Sequence, residues 1–234
     1  MARNLKYEHV FFDLDRTLWD TDKNAADTLR YLVVKYKLNE RGIENVDEFV
    51  NEFNILNEHF WTLYGQDKIS KDQLRLQRFV DILKKYNIKD YTLCHNLSND
   101  FTAITPKRSG LIDGAKDMLD YLKHKYHLHI LTNGFNEIQK IKLRHSGIRN
   151  YFKKMITAED AEAKKPHKDF FTYALSKTGA SKSNCIMVGD NVEIDIVGAI
   201  NSNISSIFYN PLKVEHNYTP DHEIKHLLEL KKIL

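Results

Sequence analysis

Cysteine is scarce in this chain: two residues in 234, Cys94 and Cys185, in dissimilar settings and without metal-type spacing. Neither a disulfide framework nor a zinc site is expected, and the reading is a reducing compartment. Glycine and proline are few, nine and four, and no repeats or low-complexity tracts occur. No apolar run approaches the length that spans a membrane. The start of the chain, with Arg3 and Lys6, runs straight into a first strand and lacks the apolar region of a signal peptide. An excess of one charge sign is missing as well. Lys plus Arg number 35 against 32 Asp plus Glu, and no basic block exceeds a few residues, which leaves nucleic-acid binding without support. The expectation is a cytoplasmic protein, monomer or homodimer, with no nucleic-acid or membrane partner. At this length it can bury a substantial core as one large domain plus an insert.

What the chain does have is carboxylates at the ends of apolar strands. Val10, Phe11 and Phe12 form a short buried-strand pattern that stops at Asp13-Leu-Asp15-Arg-Thr17. Side chains alternate along a strand, so positions 13 and 15 share a side at its carboxyl end. Two carboxylates crowded there repel each other unless a cation or shared proton relieves them. That arrangement suits a divalent metal and a nucleophile with an acid beside it. The plainer reading is a polar turn with Asp15 capping a helix.

Three further signals follow. Leu128-His-Ile-Leu reads as a second strand ending in Thr132-Asn133-Gly134, where the Thr132 hydroxyl and the following amides can meet a phosphate oxygen. An N-cap is the commoner fate of such a tripeptide. Lys164-Lys165-Pro166 precedes a helix expected over 167–177, with Pro166 at its start; there Lys165 is either a solvated charge or a fixed cation beside carboxylates. Cys185-Ile-Met-Val-Gly-Asp190 reads as a strand with Asp190 at its tip and Asp195 one helical turn on.

Strand patterns end near Asp13, Asn133, Thr157, Asp190 and Asn210, with helices starting near Phe135, Pro166 and Val192 between the last four. This alternation predicts an α/β fold with a doubly wound parallel sheet, Rossmann-like. Phe135, Ile138 and Ile141 are the readable apolar face of helix 135–146, which Gly147 stops. Residues 22–104 show helical runs broken at Gly65-Gln66-Asp67 and 87–90, and 105–110 has the composition of a return linker. The reading is an inserted all-helical bundle over 18–106, and a core of 1–17 and 107–234. The stretch His222–Leu234 is expected as an amphipathic helix packed on that core.

Together the four signals, in this order, resemble the haloacid dehalogenase-like hydrolase superfamily over essentially the whole chain. Its motifs stand here as Asp13-Leu-Asp15-Arg-Thr17, Thr132-Asn133-Gly134, Lys165-Pro166 and Gly189-Asp190 through Asp195. The insert matches the helical cap of the phosphatase branch, and the motif-one sequence looks most like the nucleotide 5′-monophosphatases. The resemblance implies Asp13 as nucleophile, Asp15 as general acid and base, and Thr132 and Lys165 holding the phosphoryl group. It implies Mg2+ as cofactor and a small phosphate ester as substrate. The ligand set expected for the metal is Asp13, Asp15, Asp190 and Asp195, with Asn133 and Thr17 beside the substrate. Two departures stand out: Arg16, where many relatives carry a small or amide residue, and Glu162, where glycine is frequent.

Alternatives remain within and beyond the superfamily. A sugar-phosphate phosphatase or phosphomutase would use the same core. A dehalogenase needs neither metal nor Asp15, which the intact pair disfavours. A catalytically inactive binding protein would leave costly buried carboxylates without use. His59, Phe60, Trp61 and Tyr64 in the insert are either core residues or a stacking surface for a base.

Overall fold

The computed structural model describes residues 6–234. Among them six strands form one sheet: β1 (His9–Phe12), β2 (His127–Thr132), β3 (Phe152–Thr157), β4 (Cys185–Gly189), β5 (Ser205–Tyr209) and β6 (His222–Ile224). Their order is β3-β2-β1-β4-β5-β6, and each neighbouring pair is parallel. The helices are α1 (Thr21–Lys35), α2 (Val46–Gly65), α3 (Lys71–Lys85), α4 (Tyr91–Ile104), α5 (Ala115–Leu122), α6 (Asn136–His145), α7 (Ala158–Ala161), α8 (Lys168–Thr178) and α9 (Val197–Asn201). The fold is the doubly wound α/β arrangement expected from strand–helix alternation.

Strand alternation sorts the core into two layers. Val10, Phe12, Leu128, Ile130, Ile186 and Val188 pack with Met118, Leu119 and Leu122 of α5 on one side of the sheet. Phe11, Leu131 and Met187 face the other way, against Phe170, Phe171 and Ala174 of α8. Buried on both faces, the central strands carry the continuous apolar runs that a parallel sheet requires.

The chain divides into two compact units, one holding the residues up to Thr21 with Ser109–Leu234, the other Asp22–Arg108. The second is helical, with Leu29, Phe49, Phe53, Phe79, Leu83 and Phe101 in its own core. Its helices begin where side chains can cap them: Asn45 accepts from the Glu48 amide, Ser70 from that of Gln73, Asp90 from that of Leu93.

Three expectations change. The last segment is not one amphipathic helix: β6 pairs with β5 through Ile207–His222 to Tyr209–Ile224, and a short 3₁₀ turn, Leu227–Lys232, follows. Leu227 and Leu230 are buried three residues apart, a spacing that a 3₁₀ turn satisfies as well as an α-helix. Pro166 does not open α8. His167 caps that helix through its ring nitrogen, and Lys168 is the first helical residue. The helix expected from Val192 starts as a wide π turn, Val192–Ile196, and only then becomes α9.

Candidate active site

Strand order reverses between β1 and β4, and the crevice at such a switch point is where open α/β sheets bind ligands. Asp13 leaves β1 there, its amide donating to the Val188 carbonyl at 2.9 Å. Asp190 leaves β4 beside it. The π turn brings Asp195 back toward the strand, where its Oδ2 accepts from the Asn191 amide at 3.2 Å. This return path explains Gly189: a Cβ there would overlap the Asp195 carboxylate. Asp13, Asp190 and Asp195 each place one oxygen within 4.8 Å of the others.

Lys165 ties the cluster together. Its ammonium donates to Asp13 Oδ1 at 2.7 Å, Asp195 Oδ1 at 2.6 Å and the Leu131 carbonyl at 2.7 Å, and its side chain is 1% exposed. Burial disfavours the charged amine, yet the two carboxylates outweigh it and raise the pKa. Asp13 moves well above the ordinary carboxyl range: burial dominates, and the charges of Asp195, Asp190 and Asp15 add to it against the pull of Lys165. Asp190 rises to about 7 for the same first reason, with Asp195 adding and the Thr17 hydrogen bond opposing.

Asp15 lies in different surroundings. Its Oδ1 accepts from Lys142 Nζ at 2.5 Å and Thr21 Oγ1 at 2.8 Å, and its Oδ2 from Gln139 Nε2 at 2.7 Å. Burial alone would raise its pKa; Lys142 and the three hydrogen bonds more than offset that and hold it low. The Asp15 carboxylate, included in the metal set expected from sequence, lies outside the three-aspartate cluster and has both oxygens hydrogen-bonded to these donors.

By charge, the donor set suits a divalent cation. Lys142 balances Asp15; with all three clustered carboxylates ionised, the state a bound cation would favour, Lys165 leaves an excess of two negative charges. All the donors are oxygens, which suits a hard cation such as magnesium. Asp13, Asp190 and Asp195 would hold it.

The remaining predicted residues have scaffold contacts. Thr132 is buried, and its Oγ1 accepts from the Gly134 amide at 3.0 Å and Gln139 Nε2 at 2.7 Å. Both bonds leave its own O–H to donate. Asn133 clamps the Lys165 backbone, accepting from its amide at 2.8 Å and donating to its carbonyl at 2.9 Å. Thr17, fully buried, donates to Asp190 Oδ1 at 2.7 Å. Asn133 and Thr17, expected beside the substrate from sequence, thus carry these internal hydrogen bonds. The two departures also have a backbone reason: Arg16 (φ 61°) and Glu162 (φ 50°) occupy the left-handed region, which favours glycine and amide side chains.

Gln139 and Lys142 escaped the sequence reading. The apolar periodicity of Ile138 and Ile141 points to one face of α6, whereas the helix buries Gln139, Lys142 and Leu143. Two polar residues three apart, seven and ten positions after Thr132, were the available signal.

Comparison with known proteins agrees with this geometry. Pyrimidine 5′-nucleotidase YjjG of Escherichia coli is 28% identical over 234 residues, covering 98% of this chain and 99% of its own. Pyrimidine 5′-nucleotidase PynA of Streptococcus pneumoniae is 30% identical over 214 residues, covering 90% and 87%. The structure of YfnB from Bacillus subtilis, a protein named as a HAD-hydrolase and solved bound to magnesium, superposes with a TM-score of 0.87 at 27% identity, covering 98% of this chain and 99% of that one. The family model described as haloacid dehalogenase-like hydrolase matches residues 10–209, and this chain belongs to that family.

Proposed function

We propose that this protein is a magnesium-dependent phosphomonoesterase acting on a pyrimidine nucleoside 5′-monophosphate through an aspartyl-phosphate at Asp13. The observation that carries the reading is the separation of the two motif-one aspartates, each with its own lysine. Lys165 binds Asp13 Oδ1, which leaves Oδ2 to attack phosphorus. The new Asp13–phosphorus bond forms as the ester oxygen leaves, so one hard displacement becomes two easier ones. Thr132 donates its remaining proton to an equatorial phosphate oxygen. A bound magnesium ion would neutralise the excess charge and polarise the phosphate.

Asp15 is the proton carrier. At rest its low pKa keeps it ionised, and it takes its first proton from solvent as the substrate binds. An arriving phosphate brings roughly two negative charges, which raise a neighbouring carboxyl's affinity for a proton. Asp15 passes that proton to the departing alkoxide, then takes one from the water that cleaves the aspartyl-phosphate.

The nucleotide assignment rests on the two relatives named as pyrimidine 5′-nucleotidases. A site that receives a base gains about 1–3 kcal/mol by stacking it on an aromatic ring. The test compares catalytic efficiency on uridine and thymidine monophosphates with hexose and triose phosphates, with and without magnesium. The nucleotides are expected to lead by at least about tenfold, near the lower end of that stacking energy. A lead for the sugar phosphates overturns the substrate and leaves the reaction standing.

A further inference from the structure

We propose that Lys142 and Gln139 are positioning residues that aim the Asp15 carboxylate at the leaving group and keep it out of the three-aspartate cluster. The inference rests on the reading of Asp15 as the proton carrier. Both residues project from the same face of α6, three positions apart, and between them they bind both oxygens of Asp15. Neither is a surface residue: Gln139 is fully buried and the Lys142 side chain is 11% exposed.

Stability does not account for such a pair. A buried ion pair is commonly matched or exceeded by apolar residues of the same volume, so the geometry has to be explained by what it fixes. Two features show that it is fixed firmly. The Lys142 ammonium lies 4.4 Å from the centre of the Trp19 ring, a cation–π contact that anchors it from a second side. The Gln139 amide nitrogen bridges Asp15 Oδ2 and Thr132 Oγ1, at 2.7 Å each. The residue that moves the proton and the residue that holds the phosphate therefore share one amide, and a displacement of either is felt by the other. Without these donors, only the Thr21 hydrogen bond would keep Asp15, a fourth carboxylate, from turning toward the divalent-ion ligands.

The experiment uses leaving-group dependence, which a merely structural role would not alter. Values of kcat/KM report the steps up to formation of the aspartyl-phosphate. Uridine monophosphate expels an alkoxide that needs a proton; p-nitrophenyl phosphate expels a stabilised phenolate that does not. Lys142→Met is expected to lower kcat/KM for uridine monophosphate by about a hundredfold, the lower end of general-acid catalysis, and for p-nitrophenyl phosphate by no more than about threefold. Gln139→Met, which keeps the lysine, should show the same skew at about tenfold, and it supplies the answer if Lys142→Met does not fold. Lys142→Arg should restore most of the loss. Equal losses on both esters, or none, overturn the positioning role. A wild-type protein that hydrolyses neither ester overturns the phosphatase reading itself, a separate result.

Discussion

At the scale of single residues, the site is a set of side chains whose second partners decide what their first can do. Thr132 is the clearest case. Its oxygen accepts twice from the protein, which leaves its own proton to donate. Thr132→Val should lower kcat by about a hundredfold, the cost of losing one preorganised donor to developing charge. Thr132→Ser, which keeps the hydroxyl, should stay within about threefold. Steady-state kinetics on one phosphomonoester decides it; equal losses in both variants would mean that the methyl group's packing, and not the donor, matters. Residue identities at strand ends were legible in the sequence because apolar runs stop abruptly at Asp13, Thr132 and Asp190. The roles of Asn133 and Thr17 were not, since either side chain can serve backbone or ligand equally well and only the fold shows which is nearer. Lys142 was hidden for a related reason: a buried lysine violates the pattern by which buried faces are recognised.

At the scale of elements, backbone shape sets the three-aspartate cluster. The π turn after β4 is what carries Asp195 back over Gly189, and nothing in Val192–Ile196 distinguishes a π turn from an α-helix by composition. The strand itself was readable; the turn was not. The glycine records the consequence. Gly189→Ala would drive a methyl group into the Asp195 carboxylate, where overpacking typically costs about 1–3 kcal/mol. That variant is expected to fold with a reduced melting temperature and to bind magnesium at least about tenfold more weakly than the parent, as if one ligand were misplaced. Isothermal titration with magnesium is the check, and unchanged affinity would show that Asp195 is not part of the donor set. The terminal β6 was illegible for a different reason. Three residues are too few to display alternation, and their strand character comes from pairing with β5.

At the scale of the whole molecule, the clustered carboxylates make stability depend on pH in a direction that can be worked out. Asp190 is shifted from its ordinary 3.8 to about 7, and Asp13 is raised too. Both hold protons more tightly folded than unfolded, so the folded state loses stability as pH rises through the window between those values. Asp15 runs the other way: its contribution is present above the ordinary carboxylate value and is lost as pH falls through its depressed one. The metal-free protein should therefore melt at a lower temperature near pH 8 than near pH 6, and the upward shift produced by magnesium should grow over the same span. Scanning calorimetry with and without chelator measures both, and a magnesium shift independent of pH would mean that these carboxylates are not its ligands.

The central claim is chemical: a phosphoryl group passes through Asp13. The most direct measurement is to quench the magnesium-loaded protein in acid during turnover and locate the covalent phosphoryl group by peptide mass spectrometry. The account predicts it on Asp13, absent when chelator is present, and absent in Asp13→Asn together with a loss of turnover of several orders of magnitude. Sustained hydrolysis with no phosphoryl group on Asp13, or substantial turnover by Asp13→Asn, would contradict it.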